Sequence, residues 1–230
     1  MVTENYRRVK QQVEETAARC GRRPEDITLI AVSKTKPLED IEELIRIGVE
    51  DFGENKVQEL CDKYERVSNP VRFHQIGHLQ TNKVKYVVDK ACLIHSVDSI
   101  KLAKEIQKEA AKRQITAQIL VEVNVAEEES KFGLHTSEVV QFLEEIADYP
   151  NVHVNGLMTI APFVQNPEDN RKYFHTLKQL SLDIISKNID NISMNVLSMG
   201  MTNDYKVAIE EGATMVRVGT AIFGTRNYTI

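Results

Sequence analysis

The feature that most constrains the fold of this chain is an eightfold alternation of short apolar segments with amphipathic ones. The apolar segments contain many β-branched residues, which is typical of strands buried on both faces of a parallel sheet. They are predicted at 27–33, 49–52, 71–76, 91–95, 119–123, 152–158, 195–198 and 214–218. The segments between them have the three- and four-residue apolar spacing of helices, and a further amphipathic helix precedes the first strand.

Eight strand–helix units without a long linker favour one closed parallel barrel over two domains. We therefore predict an α/β fold, a single (β/α)8 TIM-type barrel with an additional N-terminal helix, in which residues 1–230 form one domain. An open doubly wound sheet is the alternative. Barrels of this kind commonly need about 250 residues, so a chain of 230 leaves no room for a second domain.

Charge and cysteine content argue against several classes of function. A net charge of −5 without any basic run gives no general attraction for nucleic acid. Residues 1–20 lack an apolar core, so we expect neither a signal peptide nor a membrane helix, and a cytoplasmic location. The three cysteines, Cys20, Cys61 and Cys92, form no Cys-x-x-Cys pair, and no two histidines have metal-ligand spacing. We predict no disulfide and no metal.

A lysine stands where the first predicted strand ends. Lys34 directly follows the apolar run 27–33. An ammonium group at the edge of a dry core loses hydration, so we expect its pKa to fall and its neutral amine to suit Schiff-base formation. A lysine in a strand-to-helix loop is more commonly only solvated, and that reading stays open here. Lys36, immediately before Pro37, is predicted to be a surface residue.

Two glycine-containing segments, 198–202 and 217–221, follow or end the last two strands. Barrels of this type commonly bind phosphate at these positions. Gly200 and Gly219 allow the backbone to approach an anion, and Ser198 and Thr220 supply hydroxyl donors. Glycines after strands are also ordinary turn residues, but two such loops at the two favoured positions predict a phosphate-binding cup.

An amine nucleophile and a phosphate cup at one mouth of a barrel predict a phosphorylated aldehyde bound as an imine. Pyridoxal 5′-phosphate (PLP) is the first candidate, and a phosphosugar held by an aldolase lysine is the second. Arg217 on the eighth strand faces either the barrel interior, where it can donate to a pyridine nitrogen or a phosphate, or a helix outside. His78, after the third strand, is either an acid/base group or a structural loop histidine.

Seven motifs resemble those of the pyridoxal-phosphate homeostasis proteins, a family whose fold is like the N-terminal barrel domain of alanine racemase. They are AVSKTKP at 31–37, FGENKVQE at 52–59, FHQIGHLQTNK at 73–83, KFGL at 131–134, GLMTI at 156–160, LSMGMT at 197–202 and VRVGTAIFG at 216–224. The motifs extend in order over nearly the whole chain. One departure is Thr202, where a serine is common in the family, and threonine keeps the hydroxyl.

The resemblance implies PLP as the cofactor and Lys34 as the residue that forms the internal aldimine. The residues that it implies for holding the phosphate are Ser198, Gly219 and Thr220. The residues that it implies around the ring are Asn55, Met158 and Arg217.

The resemblance also implies binding of PLP without robust catalysis. Alanine racemases carry a C-terminal β-domain whose tyrosine, from a partner chain, supplies a second acid/base, whereas this sequence ends at Ile230, soon after the eighth strand. An Arg against the pyridine nitrogen leaves that nitrogen unprotonated and weakens the electron sink.

We therefore expect a PLP homeostasis protein that buffers, protects or delivers the cofactor. We expect a monomer or weak dimer, with PLP-requiring apo-enzymes as partners, and no binding to nucleic acid or membranes. The alternative is a barrel-only PLP-dependent amino-acid racemase or a Schiff-base lyase.

Overall fold

Eight parallel strands close into a barrel that helices cover on the outside. A computed structural model describes residues 1–128 and 132–224. The strands are β1 (Thr28–Val32), β2 (Asp51–Glu54), β3 (Arg72–Gln75), β4 (Ala91–Val97), β5 (Ala117–Glu122), β6 (Val152–Met158), β7 (Ile192–Ser198) and β8 (Met215–Val218). They pair in chain order, and β8 returns to β1 with Ala31 opposite Val218. The predicted TIM-type barrel is confirmed, and the open doubly wound sheet is excluded.

The helices of the described residues alternate with the strands. They are α1 (Val2–Arg19), α2 (Leu38–Ile45), α3 (Val57–Arg66), α4 (Val84–Val87), α5 (Ile100–Lys112), α6 (Val139–Ile146), α7 (Arg171–Lys187), α8 (Tyr205–Glu210) and α9 (Thr220–Phe223). The additional N-terminal helix α1 packs against α2, α8 and α9. It buries Val9, Val13 and Ala17, which recur at helical spacing, so its amphipathic pattern alone predicts this face.

Apolar packing is divided between the outside and the inside of the barrel. The large core lies between strands and helices, and it includes alternate strand residues such as Ile119 and Val121. A separate small cluster, which we place inside the barrel from strand alternation, contains Leu93, Leu120 and Met158. TIM-barrel interiors are commonly filled by branched aliphatic side chains, so the small size of this inner cluster leaves room for polar residues inside.

The second strand begins and ends two residues later than predicted. The apolar run 49–52 places Val49 in a strand, but Val49 packs in the outer core before β2 begins at Asp51. The strand instead continues through Gly53 to Glu54, whose side chain is completely buried. A glycine and a carboxylate give no local strand pattern, and the partners that neutralise Glu54 come from elsewhere in the chain.

A glycine is required at position 156, where β6 lies close against the backbone of β7. Gly156 has a φ of +154°, and a Cβ built on it would lie 1.8 Å from the carbonyl oxygen of Val196. The register of the β6–β7 pair shifts beside this residue. Any side chain at position 156 would therefore push the two strands apart at the wall of the barrel.

Cys20, Cys61 and Cys92 are free thiols. Within residues 1–128 and 132–224, no helix is long and apolar enough to cross a membrane. In the same part of the chain, no group of three or more His, Cys, Asp or Glu side chains is arranged to hold a metal ion.

Candidate functional site

Lys34 lies in a tight turn at the carboxyl end of β1. The turn is closed by a hydrogen bond of 3.0 Å from the Lys36 amide to the Ser33 carbonyl, and Lys34 itself is half-buried. Thr35, the third residue of the turn, has a φ of +62°. This conformation is unfavourable for a β-branched residue, so surrounding contacts must hold it.

Lys63 on α3 holds both sides of the Lys34 turn. Its Nζ donates to the Ser33 carbonyl at 2.8 Å and to Oε1 of Glu59 at 2.6 Å. The same Glu59 oxygen accepts from the amide of Thr35 at 2.6 Å. One buried ammonium group therefore fixes the residues before and after Lys34 to a single helix.

The negative partner of this clamp is buried against the outside of the barrel. Oε1 of Glu54 accepts from Lys63 Nζ at 2.7 Å and from the Ser33 hydroxyl at 2.6 Å. Burial raises the pKa of Glu54, while the charge and hydrogen bond of Lys63 oppose this shift. Oε2 of Glu54 has no hydrogen-bond partner in the described residues, so the carboxylate depends on Lys63 for its compensation.

Lys36 is not the surface residue that its position suggested. It is half-buried, and its Nζ donates to the carbonyls of Phe223 at 3.0 Å and Gly224 at 3.3 Å. These carbonyls lie at the end of α9, so Lys36 fastens the Lys34 turn to the helix that follows β8. The prediction failed because the partner segment is 187 residues away in sequence.

The start of α9 offers polar hydrogens close to the Lys34 turn. The Gly219 carbonyl accepts from the amides of Ile222 and Phe223, both at 2.9 Å. The first amides of a helix have no intrahelical acceptor. Thr220 is the exposed first residue of α9, and the Thr202 hydroxyl lies 3.5 Å from the Ala221 amide. Amides and hydroxyls therefore gather at one helix end.

The two glycines of the predicted phosphate cup have different surroundings. Gly200 has a φ of +90°, and a Cβ on it would lie 2.5 Å from the Cβ of Ala208 on α8. Helix packing thus explains this glycine, and its contact with phosphate stays a prediction. Gly219 comes directly before α9 and has an ordinary φ of −113°. A Cβ there would lie 3.3 Å from the Val32 carbonyl oxygen on β1, which is tight but not prohibitive.

Arg217 faces the barrel interior, which resolves the alternative left open by the sequence. Its Nη1 donates to Oγ of Ser198 at 2.6 Å, and its Nη2 donates to the Thr159 carbonyl at 2.8 Å. Burial lowers the pKa of Arg217 to about 10, against the opposing charges of Glu122 and Asp204. The guanidinium therefore remains a cation at neutral pH.

The remaining predicted residues lie at strand ends around Arg217. Ser198 is completely buried at the end of β7. Its hydroxyl accepts a hydrogen bond from Arg217 and does not lie at the start of α9. Met158 is completely buried in the inner apolar cluster. Asn55 is half-buried after β2, and its carbonyl accepts from Nε2 of Gln75 at 2.9 Å.

Glu122 is a buried carboxyl group that the sequence reasoning missed. It ends β5, and burial together with the carboxylate of Asp98 raises its pKa to about 7, with Arg217 opposing the shift. Sequence reasoning treated this residue as part of an apolar strand. A single acidic residue within such a run was the available signal, because a carboxyl group rarely enters a core without a role or a partner.

His78 contacts the segment that follows β5. Its ring stacks on Phe132 with centroids 3.8 Å apart, and its Nδ1 lies 3.8 Å from Oδ2 of Asp98. These contacts fit the structural reading of His78, while an acid/base role stays untested. Lys131, in the KFGL motif, lies outside the described residues.

Comparison with known proteins identifies the family of this chain. The family described as "Alanine racemase, N-terminal domain" matches residues 3–227. The pyridoxal phosphate homeostasis protein of Aquifex aeolicus is 46% identical over 226 residues, covering 98% of each chain. This chain belongs to the pyridoxal phosphate homeostasis protein family. The resemblance seen in the seven motifs is thereby confirmed.

Solved structures agree with this family assignment. PipY of Synechococcus elongatus, solved with PLP bound, is 30% identical, has a TM-score of 0.81, and aligns over 92% of this chain and 100% of PipY. Alanine racemase from Corynebacterium glutamicum is 12% identical with a TM-score of 0.74, over 99% of this chain and 62% of the racemase. At that identity the racemase shares only the fold of the barrel with this chain.

Proposed function

We propose that this protein binds PLP at the carboxyl end of its barrel and buffers, protects or delivers it, without robust turnover. The observation that carries the proposal is the turn of Lys34. This half-buried lysine is held by Lys63 from one side and is joined to α9 through Lys36 from the other. A lysine positioned so firmly beside a helix start suits an aldehyde that also carries an anion.

The chemistry of the site matches the three functional groups of PLP. Lys34 provides an amine for the aldehyde, α9 begins with amides and hydroxyls for the phosphate, and Arg217 provides a donor for the pyridine nitrogen. When bound, PLP supplies an electrophilic carbonyl conjugated to an electron-withdrawing ring. The PLP-bound structure of PipY, a relative with 30% identity, supports the same assignment.

We assign the phosphate contacts to Gly219, Thr220 and Thr202, and we propose that Ser198 contributes through Arg217. The Thr202 hydroxyl lies at the start of α9, whereas the Ser198 hydroxyl is buried and bonded to the guanidinium. We retain Gly200 in the proposed site because it lies in the same loop as Thr202. Asn55 and Met158 are proposed to border the ring.

The charge of Arg217 supports storage of the cofactor over catalysis. A guanidinium with a pKa of about 10 stays protonated at neutral pH. It can therefore only donate a hydrogen bond to the ring nitrogen, which stays unprotonated and withdraws electrons weakly. The relatives support the same reading, because they are named homeostasis proteins.

The proposal is tested by titrating purified protein with PLP and then supplying amino acids and phosphosugars. We expect saturable PLP binding and no turnover at ordinary enzyme rates, on the order of 1 to 10³ per second. Racemisation or elimination at such rates would establish the racemase or lyase alternative. Turnover of a phosphosugar without PLP binding would establish an aldolase.

The cellular part of the proposal concerns delivery. We propose a cytoplasmic monomer or weak dimer that passes PLP to apo-enzymes requiring it. Loaded protein mixed with such an apo-enzyme should restore its activity at a rate that rises with apo-enzyme concentration. A rate equal to spontaneous release into buffer would leave buffering, and not delivery, as the function.

A further inference from the structure

A chain of hydrogen-bonded side chains passes through the barrel interior from one end to the other. Nε2 of His74 lies 3.0 Å from Oδ1 of Asp51, and Nδ1 of His74 lies 3.0 Å from Nε2 of His95. Nδ1 of His95 lies 2.9 Å from Oγ of Ser198, which accepts from Arg217 at 2.6 Å. We call these five residues the relay. They come from β2, β3, β4, β7 and β8.

The relay is shielded from water except at the amino-terminal end of the barrel. His95 and Ser198 are completely buried, and His74 and Arg217 are 2% and 4% exposed. Asp51, the first residue of β2, keeps 13% of its side chain exposed and borders a cavity of about 350 Å³. The relay therefore connects solvent at one end of the barrel with the proposed cofactor site at the other.

The two ends of the relay determine the direction of every hydrogen bond. A guanidinium can only donate, and a carboxylate can only accept. With both histidines neutral, Ser198 must therefore donate to Nδ1 of His95, and each histidine must carry its proton on Nε2. This arrangement satisfies all four hydrogen bonds with both histidines neutral, and no other pattern of neutral histidines does so.

Electrostatics support charged ends of the relay and a neutral His95 between them. Burial lowers the pKa of His95 well below its ordinary value, and the nearby His74 and Arg217 lower it further. Burial alone would raise the pKa of Asp51, but hydrogen bonds from His74 and Arg72 lower it to about 2. A negative charge at Asp51 and a positive charge at Arg217 are thus joined through hydrogen bonds that polarise one another and that include the neutral ring of His95.

Resting on the proposed PLP site, we propose that the relay makes Asp51 a positioning residue for Arg217 and, through it, for the pyridine ring of bound PLP. Removing one member leaves a buried donor or acceptor unpaired and frees the next hydroxyl or ring to reorient. The orientation and effective charge of Arg217 at the carboxyl end therefore depend on a carboxylate at the amino end.

Other titratable groups face the ends of the relay. Those near Asp51 are Tyr6, Arg72 and Cys92, and those near Arg217 are Glu122 and Asp204. Burial and the charge of Asp51 raise the pKa values of Tyr6 and Cys92 to about 12, so both stay uncharged at neutral pH. Glu122 has a pKa of about 7, so its own titration falls within the pH range of the experiment. The Glu122→Gln variant therefore serves as a control for it.

The first test uses PLP-loaded protein and follows its visible absorbance against pH. Asp51→Asn removes a negative charge but keeps an oxygen that accepts from His74. We expect the absorbance transition to move to lower pH by about 0.5 to 1 unit. A neutral acceptor at position 51 polarises the hydrogen bonds of the relay less, so Arg217 presents more positive charge to the bound cofactor and disfavours its cationic form. The matched control is Glu50→Gln, because Glu50 binds the same Arg72 at 2.7 Å but lies outside the relay.

A double-mutant cycle separates the relay from a direct field effect. In protein that already carries His95→Leu, the change Asp51→Asn should give no further shift of the transition. An equal shift with and without His95 would show that the charge acts through space and would overturn the relay. An unchanged transition in the single Asp51→Asn protein would overturn it as well.

The second test needs no cofactor and therefore stands apart from the proposed function. Magnetic resonance of isotope-labelled imidazole nitrogens should show His74 and His95 as neutral Nε2–H tautomers at neutral pH, with His95 staying neutral below the ordinary histidine pKa of 6.5. A proton on Nδ1 of either ring would contradict the relay. Normal tautomers in a protein that fails to bind PLP would instead refute the proposed function and leave the relay intact.

Discussion

Replacing Lys63 by methionine tests the clamp that holds the Lys34 turn. The Lys63 side chain is 6% exposed and donates to Ser33, Glu54 and Glu59 at 2.6 to 2.8 Å. Methionine fills a similar volume but donates nothing, so Glu54 would be left buried without a cation. Breaking a buried ion pair from one side costs about 3 to 5 kcal/mol in the free energy of unfolding.

The cost should depend on pH because Glu54 can escape by taking up a proton. Its pKa is already raised by burial, and loss of Lys63 raises it further. Between the ordinary carboxyl value of 4.5 and this raised value, the folded variant binds more protons than the unfolded chain. Its stability therefore falls as pH rises through that window, and the deficit against the wild type is smallest in acid.

Urea unfolding at several pH values measures this prediction. Lys108→Met is the matched control, because Lys108 pairs with Glu105 on an exposed face of α5 and should cost less than about 1 kcal/mol. Adding Glu54→Gln to Lys63→Met should recover part of the loss. A cost for Lys63→Met as small as that of the control, or one that does not change with pH, would refute the clamp.

Three further predictions concern the barrel wall, the buried carboxyl and the phosphate contacts. Gly156→Ala should lower the free energy of unfolding in urea by more than about 3 kcal/mol or prevent folding. The control Gly21→Ala, also at positive φ but in open space, should lower it by about 1 kcal/mol. Similar losses in the two variants would contradict the close approach of the strands. Burial raises the pKa of Glu122 to about 7 from 4.5. The wild type should therefore lose about 3 kcal/mol of stability as pH rises through this range, and Glu122→Gln should abolish that loss. A pH profile of stability that is unchanged in Glu122→Gln would contradict this role of Glu122. Thr220→Ala should weaken PLP binding about 10- to 150-fold in equilibrium titration but keep the visible band of the Lys34 adduct. Lys34→Ala should lose the band and still retain PLP. Normal affinity in the Thr220 variant would place the phosphate elsewhere.

The barrel could be predicted from the sequence because its signals are local. Each buried strand is a short run of apolar residues, and each covering helix shows its own periodicity, so neither needs knowledge of distant partners. The error at β2 has the opposite cause. Glu54 is a strand residue because Lys63 from α3 neutralises it, and no pattern around Glu54 reveals that contact.

The positions of Lys34, Arg217 and Thr220 could be predicted because these residues stand at or near the ends of strands that a barrel brings to one mouth. Their roles toward PLP stay predictions. Their supports could not be predicted. Lys36 binds the far end of α9, and the Ser198 hydroxyl turns to Arg217 inside the barrel.

The relay was equally invisible in the sequence. His74 and His95 lie within the predicted strands 71–76 and 91–95, but their contact depends on how β3 pairs with β4. The register of that pair shifts between Phe73 and His74. An irregularity of one residue decides which side chains face each other inside a barrel, and apolar patterning does not report it.

The central claim is that Lys34 holds PLP covalently, and chemical trapping tests it most directly. Protein loaded with PLP is reduced with borohydride, digested, and mapped by mass. The account predicts one modified peptide, with the label on Lys34. A label on Lys36 or Lys83 would contradict the assignment, and a trapped phosphosugar without any PLP label would replace the proposed function with that of an aldolase.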